Sequence, residues 1–433
     1  MLKFRWETDF KKTEGGFKIP RDWKTSNFGD ESKFRIIMGQ SPPSKYYNQN
    51  GDGLPFIQGK TEFKDLYVET TTYTTKCGKI APPDSVIITV RAPVGELNLT
   101  KGELCIGRGV AAILTKENDF IENRFVYYAV KGLNEYLSVL GERGTTYDSI
   151  TREELENFII PYPPPTERHH IANILSWFDN LIENKKRQNE ILEKTAMAIF
   201  KSWFIDFEPF KDGEFVDSEL GKIPKGWKVK PMGNLAEIRN GLSYSGKEKF
   251  EEPVEGSYVF ITLNNAIESG GFKPVYAWIK SDRIKEHHFL EEGDLIIPNT
   301  EQTKDERLLG SPGIVFFSPS YENKKGVYSH HITKISPFNP KHRLFLYLFL
   351  RFTREDSASF STGTGVLGLD IHNFRRNKMI TCPPNSILQK FHSLIEPLFQ
   401  KILTNQKQIM ILRKVRDILL PLLVFGKLRV ESV

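Results

Sequence analysis

Three cysteines are all that this 433-residue sequence contains, and Cys77, Cys105 and Cys382 lie far apart in it. They form no Cys-x-x-Cys pair and cannot supply a disulfide framework, which points to a reducing, cytoplasmic setting. Long hydrophobic runs are missing as well. The longest, Leu344 to Leu350, falls far short of a membrane span. The opening MLKFRWETDFKK has no apolar core followed by a small-residue cleavage site, so no signal peptide is expected. Nor is there much excess of one charge: 60 Lys+Arg stand against 54 Asp+Glu, a net of +6. That is a mild pull toward an anionic partner and says nothing about fold. With 39% apolar and 26% charged residues the composition is that of a soluble globular protein. The length exceeds what one hydrophobic core serves, so two domains are expected.

Catalytic constellations are also lacking. An amino-methyltransferase needs an Asn/Asp-Pro-Pro-aromatic loop to hold and stack a flipped base. The Pro-Pro sites here read Ser41-Pro42-Pro43-Ser44, Ala81-Pro82-Pro83-Asp84, Tyr162-Pro163-Pro164-Pro165 and Cys382-Pro383-Pro384-Asn385, and none qualifies. Gly59-Lys60-Thr61 lacks the glycine a phosphate loop requires, since Leu54 stands in that place. His169-His170, His287-His288 and His330-His331 are adjacent pairs whose side chains diverge, so they are poor joint metal ligands. No metal site is expected.

What the sequence does have is itself, twice. Ile19-Pro20-Arg21-Asp22-Trp23-Lys24 returns at a shift of 204 as Ile223-Pro224-Lys225-Gly226-Trp227-Lys228. Thr13-Glu14-Gly15-Gly16 answers Ser218-Glu219-Leu220-Gly221, and Pro55-Phe56-Ile57 answers Val259-Phe260-Ile261. Asp84-Ser85-Val86-Ile87-Ile88 matches Asp294-Leu295-Ile296-Ile297 at a shift of 210, and Pro163-Pro164 matches Pro383-Pro384 at 220. Each copy begins with short apolar strand-like runs, such as Ser85–Val90 and Gly313–Phe317, broken by Gly, Pro, Asn and Asp. A helical run follows, Phe125–Leu140 and Leu344–Arg351, and then a long helix behind a proline cluster.

The two long helices share one periodicity. Steps of four and three link Ile171, Leu175, Phe178, Ile182, Lys185, Asn189, Leu192, Ala196, Ile199 and Trp203. Adding 220 gives Phe391, Ile395, Leu398, Ile402, Asn405, Ile409, Leu412, Arg416, Leu419 and Leu423. This is a heptad seam with polar interruptions near its middle, where a buried amide fixes register. One such helix alone reads as an ordinary amphipathic core helix. Two at a fixed shift favour an intramolecular antiparallel coiled coil, roughly 50 Å long, with a kink expected at Pro397. From Asn385 to Lys427 seven basic residues face two acidic ones, whereas Pro165 to Phe207 is balanced. The surplus reads either as a solvated face or as a track for phosphates or an acidic partner.

In this order and twice over, these motifs carry a resemblance. The repeated Ile-Pro-x-x-Trp, Gly39-Gln40-Ser41-Pro42, Arg91-Ala92-Pro93-Val94-Gly95, Gly144-Thr145-Thr146, the proline clusters and Glu396-Pro397-Leu398-Phe399 look like the specificity subunit of type I restriction–modification enzymes. The second half departs from the pattern, with Gly241-Leu242-Ser243-Tyr244 and with Asn299-Thr300-Glu301-Gln302 where the first has Arg91-Ala92-Pro93. The resemblance implies an α+β fold in which two pseudo-symmetric α/β target-recognition domains are separated by two long antiparallel coiled-coil helices. The expected division is a first recognition domain over 1–164 with a lead segment 1–16, a central helix over 165–207 and a linker over 208–221. A second recognition domain over 222–384, a C-terminal helix over 385–427 and a tail over 428–433 complete it.

The resemblance further implies that each domain reads one half of a bipartite double-stranded DNA target; independently, a rod of roughly 50 Å places its ends roughly 15 base pairs apart, which suits two half-sites more than one helical turn apart. The helices would set that spacing and dock two modification (methyltransferase) subunits, which in turn join restriction (translocase and nuclease) subunits. The chain itself would be non-catalytic and without cofactor, S-adenosylmethionine, ATP and Mg belonging to the partners. A self-contained DNA methyltransferase or nuclease, and a coiled-coil scaffold that ignores DNA, are the competing readings.

Bases are read by paired donors and acceptors on loops that a sheet holds still. In the first domain the candidates are Gln40, Lys45, Tyr46, Gln58, Lys60, Arg91, Arg108, Arg143, Thr145 and Tyr147. In the second they are Arg239, Asn240, Tyr244, Asn264, Asn265, Asn299, Gln302, Lys304 and Thr364. For each, the plainer reading is a turn residue that satisfies its own backbone.

Overall fold

A computed structural model of the chain describes residues 2–134, 149–268, 270–301, 307–321, 325–363 and 366–432. It divides into two compact units, one of Met1–Glu183 with Leu412–Val433 and one of Asn184–Ile411. Both are α+β.

In the first unit the apolar run Val110–Thr115 is buried along its whole length and is the natural centre of a sheet. It lies between Phe34–Met38 and Val86–Thr89, with Leu97–Leu99 at the far edge, all antiparallel. A second sheet orders Tyr47–Asn48, Tyr73–Thr74, Leu54–Ile57, Leu104–Ile106 and Ile80–Ala81, the third and fourth strands parallel. The second unit repeats both sheets strand for strand. Gly313–Ile314, Leu295–Pro298, Ile332–Pro337 and Ala236–Asn240 form the four-stranded one. Lys249–Phe250, Ala277–Ile279, Tyr258–Ile261, Gly326–Tyr328 and Phe289–Leu290 form the other, again with one parallel pair. A buried helix covers each four-stranded sheet, Phe120–Gly132 in the first unit and Arg343–Phe352 in the second. Asp119 caps the former by accepting from the Glu122 N–H.

The long helices are Pro165–Phe204 and Asn385–Val424, each of 40 residues. Pro165 opens the first, where its missing N–H has no partner to lose. The second runs unbroken through Pro397 and Pro421. Within each unit the two helices run antiparallel. In the first unit Ile171, Ala172 and Leu175 pack in one core with Leu420, Leu423 and Val424. Arg416 there meets the buried Asp179 at 2.5 Å, and Asp179 also accepts from the Tyr128 hydroxyl at 2.5 Å. In the second unit Ala196, Phe200 and Phe204 pack with Phe391 and Ile395. Asn405, fully buried, donates to Asn189 Oδ1 at 2.9 Å. Lys185 meets Gln408 at 2.5 Å one turn away.

Of the expected seam, Ile171, Leu175, Ile182, Phe391, Ile395, Ile402, Asn405, Ile409 and Leu423 are buried. Phe178, Asn189, Leu192, Leu398, Leu412 and Leu419 are half-buried. At the C-terminal end of each helix the buried line takes in the next residue, in the first helix in place of the seam position and in the second alongside Leu423. Phe200 and Phe204, rather than Ile199 and Trp203, are sealed, and Leu420 and Val424 are their counterparts. A straight helix drifts about 20° per heptad from a 3.5-residue repeat. Over the last two turns the globular part of the unit, not the other helix alone, supplies the covering surface, with Phe345 and Trp227 ringing Phe204.

Three further expectations are corrected. The stretch 208–221 is not a bare linker: Phe215–Ser218 forms a hairpin with Gly221–Pro224, and Phe207 and Phe210 stack edgewise on Trp227. The tail is a strand, Leu428–Ser432, paired antiparallel with Leu2–Trp6 inside the first unit. Cys77 and Cys105 are joined in a disulfide across 28 residues, with Cα atoms 5.7 Å apart. Strand Ile80–Ala81 pairs with Leu104–Ile106, so the ladder brings together two cysteines that are distant in sequence. Cys382 is free and buried, and burial pushes its thiol up to about 11.

Arg429, on that terminal strand, ties four segments together. Its guanidinium bonds both oxygens of Glu167 (2.7 and 2.9 Å) and both of Asp22 (3.0 and 2.9 Å), as well as Glu7 at 2.9 Å. Glu167 also accepts from the indole N–H of Trp23 at 3.0 Å. Removing one partner of a buried pair strands the other, so Arg429→Met should destabilise the first unit by about 3–5 kcal/mol. Amide hydrogen exchange should then speed up in the first unit and hold steady in residues 184–411. The Arg429 guanidinium keeps the Asp22 carboxyl below its ordinary range. Backbone N–H groups of Asp9 and Thr8 hold Glu7 at about 2. Both are depressed, so their stabilisation is complete above the ordinary carboxylate range and fades as pH falls toward about 2. A thermal-melting series over that range should show the loss, and Glu7→Gln should reduce it.

Candidate nucleic-acid interface

At one edge of the first unit several loops cross close together, held by backbone hydrogen bonds. Gly39 N–H donates to Val110 O at 3.0 Å and Gln40 N–H to Ile106 O at 2.9 Å. Gly107 N–H reaches Ile57 O at 2.8 Å, Val90 N–H reaches Gly109 O at 2.9 Å, and Ile150 N–H reaches Val90 O at 2.9 Å. A β-carbon on Gly39 would lie 2.1 Å from Gly107 O, so only glycine permits this crossing. The loops together present Gln40, Gln58, Arg91 and Arg108, all exposed. Neither Arg91 nor Arg108 has a side-chain ion pair or hydrogen bond among the described residues, which leaves both forks free for bidentate contacts.

Tyr46 beside them is flanked by two cations, Lys45 Nζ at 5.2 Å and Lys76 Nζ at 5.3 Å from its ring centre. Lys60 differs: it is held in an ion pair with Glu96. Lys76 was not among the sequence candidates. Its signal is spatial, since the disulfide and the ladder at Ile80 bring its loop beside Gln40, whose side chain lies against Gly78.

The second unit builds the same crossing from different residues. Gly241 N–H donates to Ile332 O at 3.1 Å, Leu242 N–H to Tyr328 O at 2.7 Å and Ser329 N–H to Ile261 O at 2.9 Å. Asn299 N–H reaches His331 O at 2.9 Å and Leu369 N–H reaches Asn299 O at 2.8 Å. A β-carbon on Gly241 would meet Tyr328 O at 2.2 Å. These bonds set the correspondence: Gly39 with Gly241, Val90 with Asn299, Arg91 with Thr300, Arg108 with His330. The counterpart of Arg91 is therefore Thr300, one residue beyond the match the sequence suggests.

Two candidates of this unit are corrected. Asn265 is fully buried, accepts from Thr262 N–H at 2.8 Å, and donates to Lys273 O and Val275 O at 3.0 and 2.6 Å. It fastens its own loop and has no edge left for a base. Asn299, 7% exposed, donates to Asn240 Oδ1, His330 O and Thr333 Oγ1. It braces the crossing rather than reaching out of it. Asn240 and Asn264 remain exposed, and Arg239 is exposed but paired with Glu237 at 2.5 Å. Tyr244 packs edge-on to Phe260 and lies 5.7 Å from the His330 ring. Arg143, Thr145, Tyr147, Gln302, Lys304 and Thr364 lie outside the described residues.

Among the described residues there is no cluster of His, Cys, Asp and Glu suited to a metal ion, and no helix long and apolar enough to cross a membrane. The arrangement offers hydrogen-bonding side chains on braced loops, and it does so twice.

The sequence matches the family described as the type I restriction modification DNA specificity domain over residues 20–194 and again over 224–413. It is 38% identical to the type I restriction enzyme MjaIX specificity subunit of Methanocaldococcus jannaschii, over 100% of this chain and 99% of that one. Against the HindI specificity subunit of Haemophilus influenzae it is 24% identical over 68% of this chain and 74% of the other. A crystal structure of the S subunit of a type I restriction–modification system from M. genitalium shares the fold, with a TM-score of 0.56 at 18% identity, covering 93% of this chain and 96% of that one. Two copies of the family's domain, on two copies of one loop crossing, make this chain a member of the type I restriction–modification specificity subunits, with two target-recognition domains.

Proposed function

We propose that each unit reads one half of a bipartite DNA target through its loop crossing, and that the chain performs no chemistry of its own. The observation that carries this reading is the crossing built twice on the same backbone bonds but with different side chains: Gln40, Gln58, Arg91 and Arg108 in one, Asn240, Tyr244 and Thr300 in the other. Equal scaffolds with unequal readers suit two different half-sites. Arg forks match guanine and Gln amides match adenine, while Lys45 and Lys76 beside Tyr46 suit phosphates.

The long helices take two roles in this proposal. Each spans 40 residues, about 60 Å, and so serves as the element that sets half-site spacing. Each also carries apolar side chains that nothing in its own unit covers. In the first unit these are Trp177, Leu181, Val415 and Ile418, and in the second Ile191, Leu394 and Ile411. Trp177 is 57% exposed and Ile418 55%, at positions four and three residues from their neighbours on the same face. We assign these faces to the modification subunits, which would bring S-adenosylmethionine, while restriction subunits would bring ATP and Mg. A cytoplasmic location follows from a DNA target.

Gln58→Ala or Arg91→Ala should cost about 1–3 kcal/mol of binding and relax one half-site only. Lys45→Ala should weaken all sequences alike and flatten the salt dependence. Selection of bound duplexes from a randomised pool distinguishes the two, and loss of preference at both half-sites from a first-unit change would contradict the assignment. Trp177→Asp with Ile418→Asp should abolish co-purification of a modification subunit while leaving the melting temperature within a few degrees. The purified chain alone should transfer no methyl group to DNA.

A further inference from the structure

We propose that His330 and His331 contact DNA in the second unit and make its half-site, unlike the first, sensitive to pH. The inference rests on the reading of both crossings as DNA-binding. Its own basis is the backbone correspondence. Ser329 N–H to Ile261 O repeats Gly107 N–H to Ile57 O, so the residue that follows, His330, stands where the first unit puts Arg108. Asn299 N–H to His331 O likewise repeats Val90 N–H to Gly109 O, which sets His331 where the first unit has Gly109. The first unit thus offers a permanent guanidinium at a place where the second offers two imidazoles.

The local contacts agree. The two rings lie 3.8 Å apart. His331 Nδ1 is 2.9 Å from Thr300 Oγ1, and Thr300 is the counterpart of Arg91. His330 Nδ1 is buried with no hydrogen-bond partner, so this ring has one nitrogen held inside the crossing. Tyr244, 5.7 Å away, is the aromatic neighbour. From the adjoining strand Ala236–Asn240 the charged groups are Arg239 and Glu237, which neutralise each other. Burial, then the neighbouring His330, lowers the pKa of His331 below the ordinary histidine value. His331 therefore holds a proton less readily in the free protein than an ordinary histidine does. A phosphate or a guanine acceptor against the ring raises its pKa in the complex. The added affinity is then present at low pH and lost as pH rises through the value in the complex.

The test uses the full-length chain in complex with its methyltransferase partner and a fixed bipartite duplex, titrated between about pH 5.5 and about pH 8. Targets with one half-site scrambled separate the two contributions. Affinity for the second half-site should rise as pH falls, by up to about tenfold per pH unit for one proton taken up. The first half-site should not follow. His330→Gln with His331→Gln should remove the pH dependence, and His330→Arg with His331→Gln should replace it with a pH-independent preference for guanine. Reciprocally, Arg108→His should bring pH dependence to the first half-site. A bipartite preference that keeps its pH dependence in the double glutamine variant, at an unchanged melting temperature, overturns this inference and leaves the two-reader proposal standing. Absence of any bipartite preference at every pH overturns both.

Discussion

A 40-residue helix with an apolar stripe along one side cannot remain alone in water, and this chain contains two of them. The constraint is met by antiparallel pairing, and it is met separately in each unit. Ile171 and Leu175 find Leu420 and Leu423 in the first, and Phe200 and Phe204 find Phe391 and Ile395 in the second. The remaining architecture follows from the need to put both helices into both cores. A unit that takes the start of one helix must take the end of the other, and so the first unit is assembled from the two ends of the chain.

Polar groups fix what the apolar stripes leave free. A leucine seam tolerates sliding by one heptad, whereas Asp179 meets Arg416 and Tyr128, and the Asn405 amide N–H meets Asn189 Oδ1, in one register only. Arg429 does the same for the terminal strand. Its three carboxylate partners come from the first residues, from the Ile-Pro-x-x-Trp motif and from the first turn of the central helix. The two tryptophans of the repeated motif thereby receive different surroundings. Trp23 donates to Glu167 beneath a guanidinium, while Trp227 is enclosed by Phe204, Phe207 and Phe210. The motif is repeated, but its packing is not.

Much of this was legible in the sequence, because duplication and the heptad step are patterns along the chain. Ile-Pro-x-x-Trp, the proline clusters and the shift of 220 marked both copies and the polar breaks at Asn189 and Asn405. Features created by closure in space left no such pattern. The disulfide depends on a strand pairing, the terminal strand on a partner more than 400 residues away, and the exchange of Trp203 for Phe204 on which surface covers the helix end. Among candidate readers, Arg91 and Arg108 kept free side chains, while Asn265 and Asn299 spent their amides on neighbouring backbone. Residue type announces a capacity to hydrogen-bond, and only the surrounding carbonyls decide where that capacity goes. His330 and His331 illustrate the converse, since adjacency counts against shared metal ligation but not against lining one crossing.

Assembly of the first unit from both chain ends has a consequence for biosynthesis. Residues 184–411 are contiguous and can close their core once the ribosome has delivered them. The first 183 residues must wait for Leu412–Val433, which supply Leu420, Leu423, Arg429 and the strand beside Leu2–Trp6. At about 5–20 residues per second, that wait is some tens of seconds. During it, the part translated first keeps an unfinished apolar face, and the part translated second folds ahead of it. Loss of Leu412–Val433 would therefore damage the unit built on residues 1–183, far from the lesion in sequence.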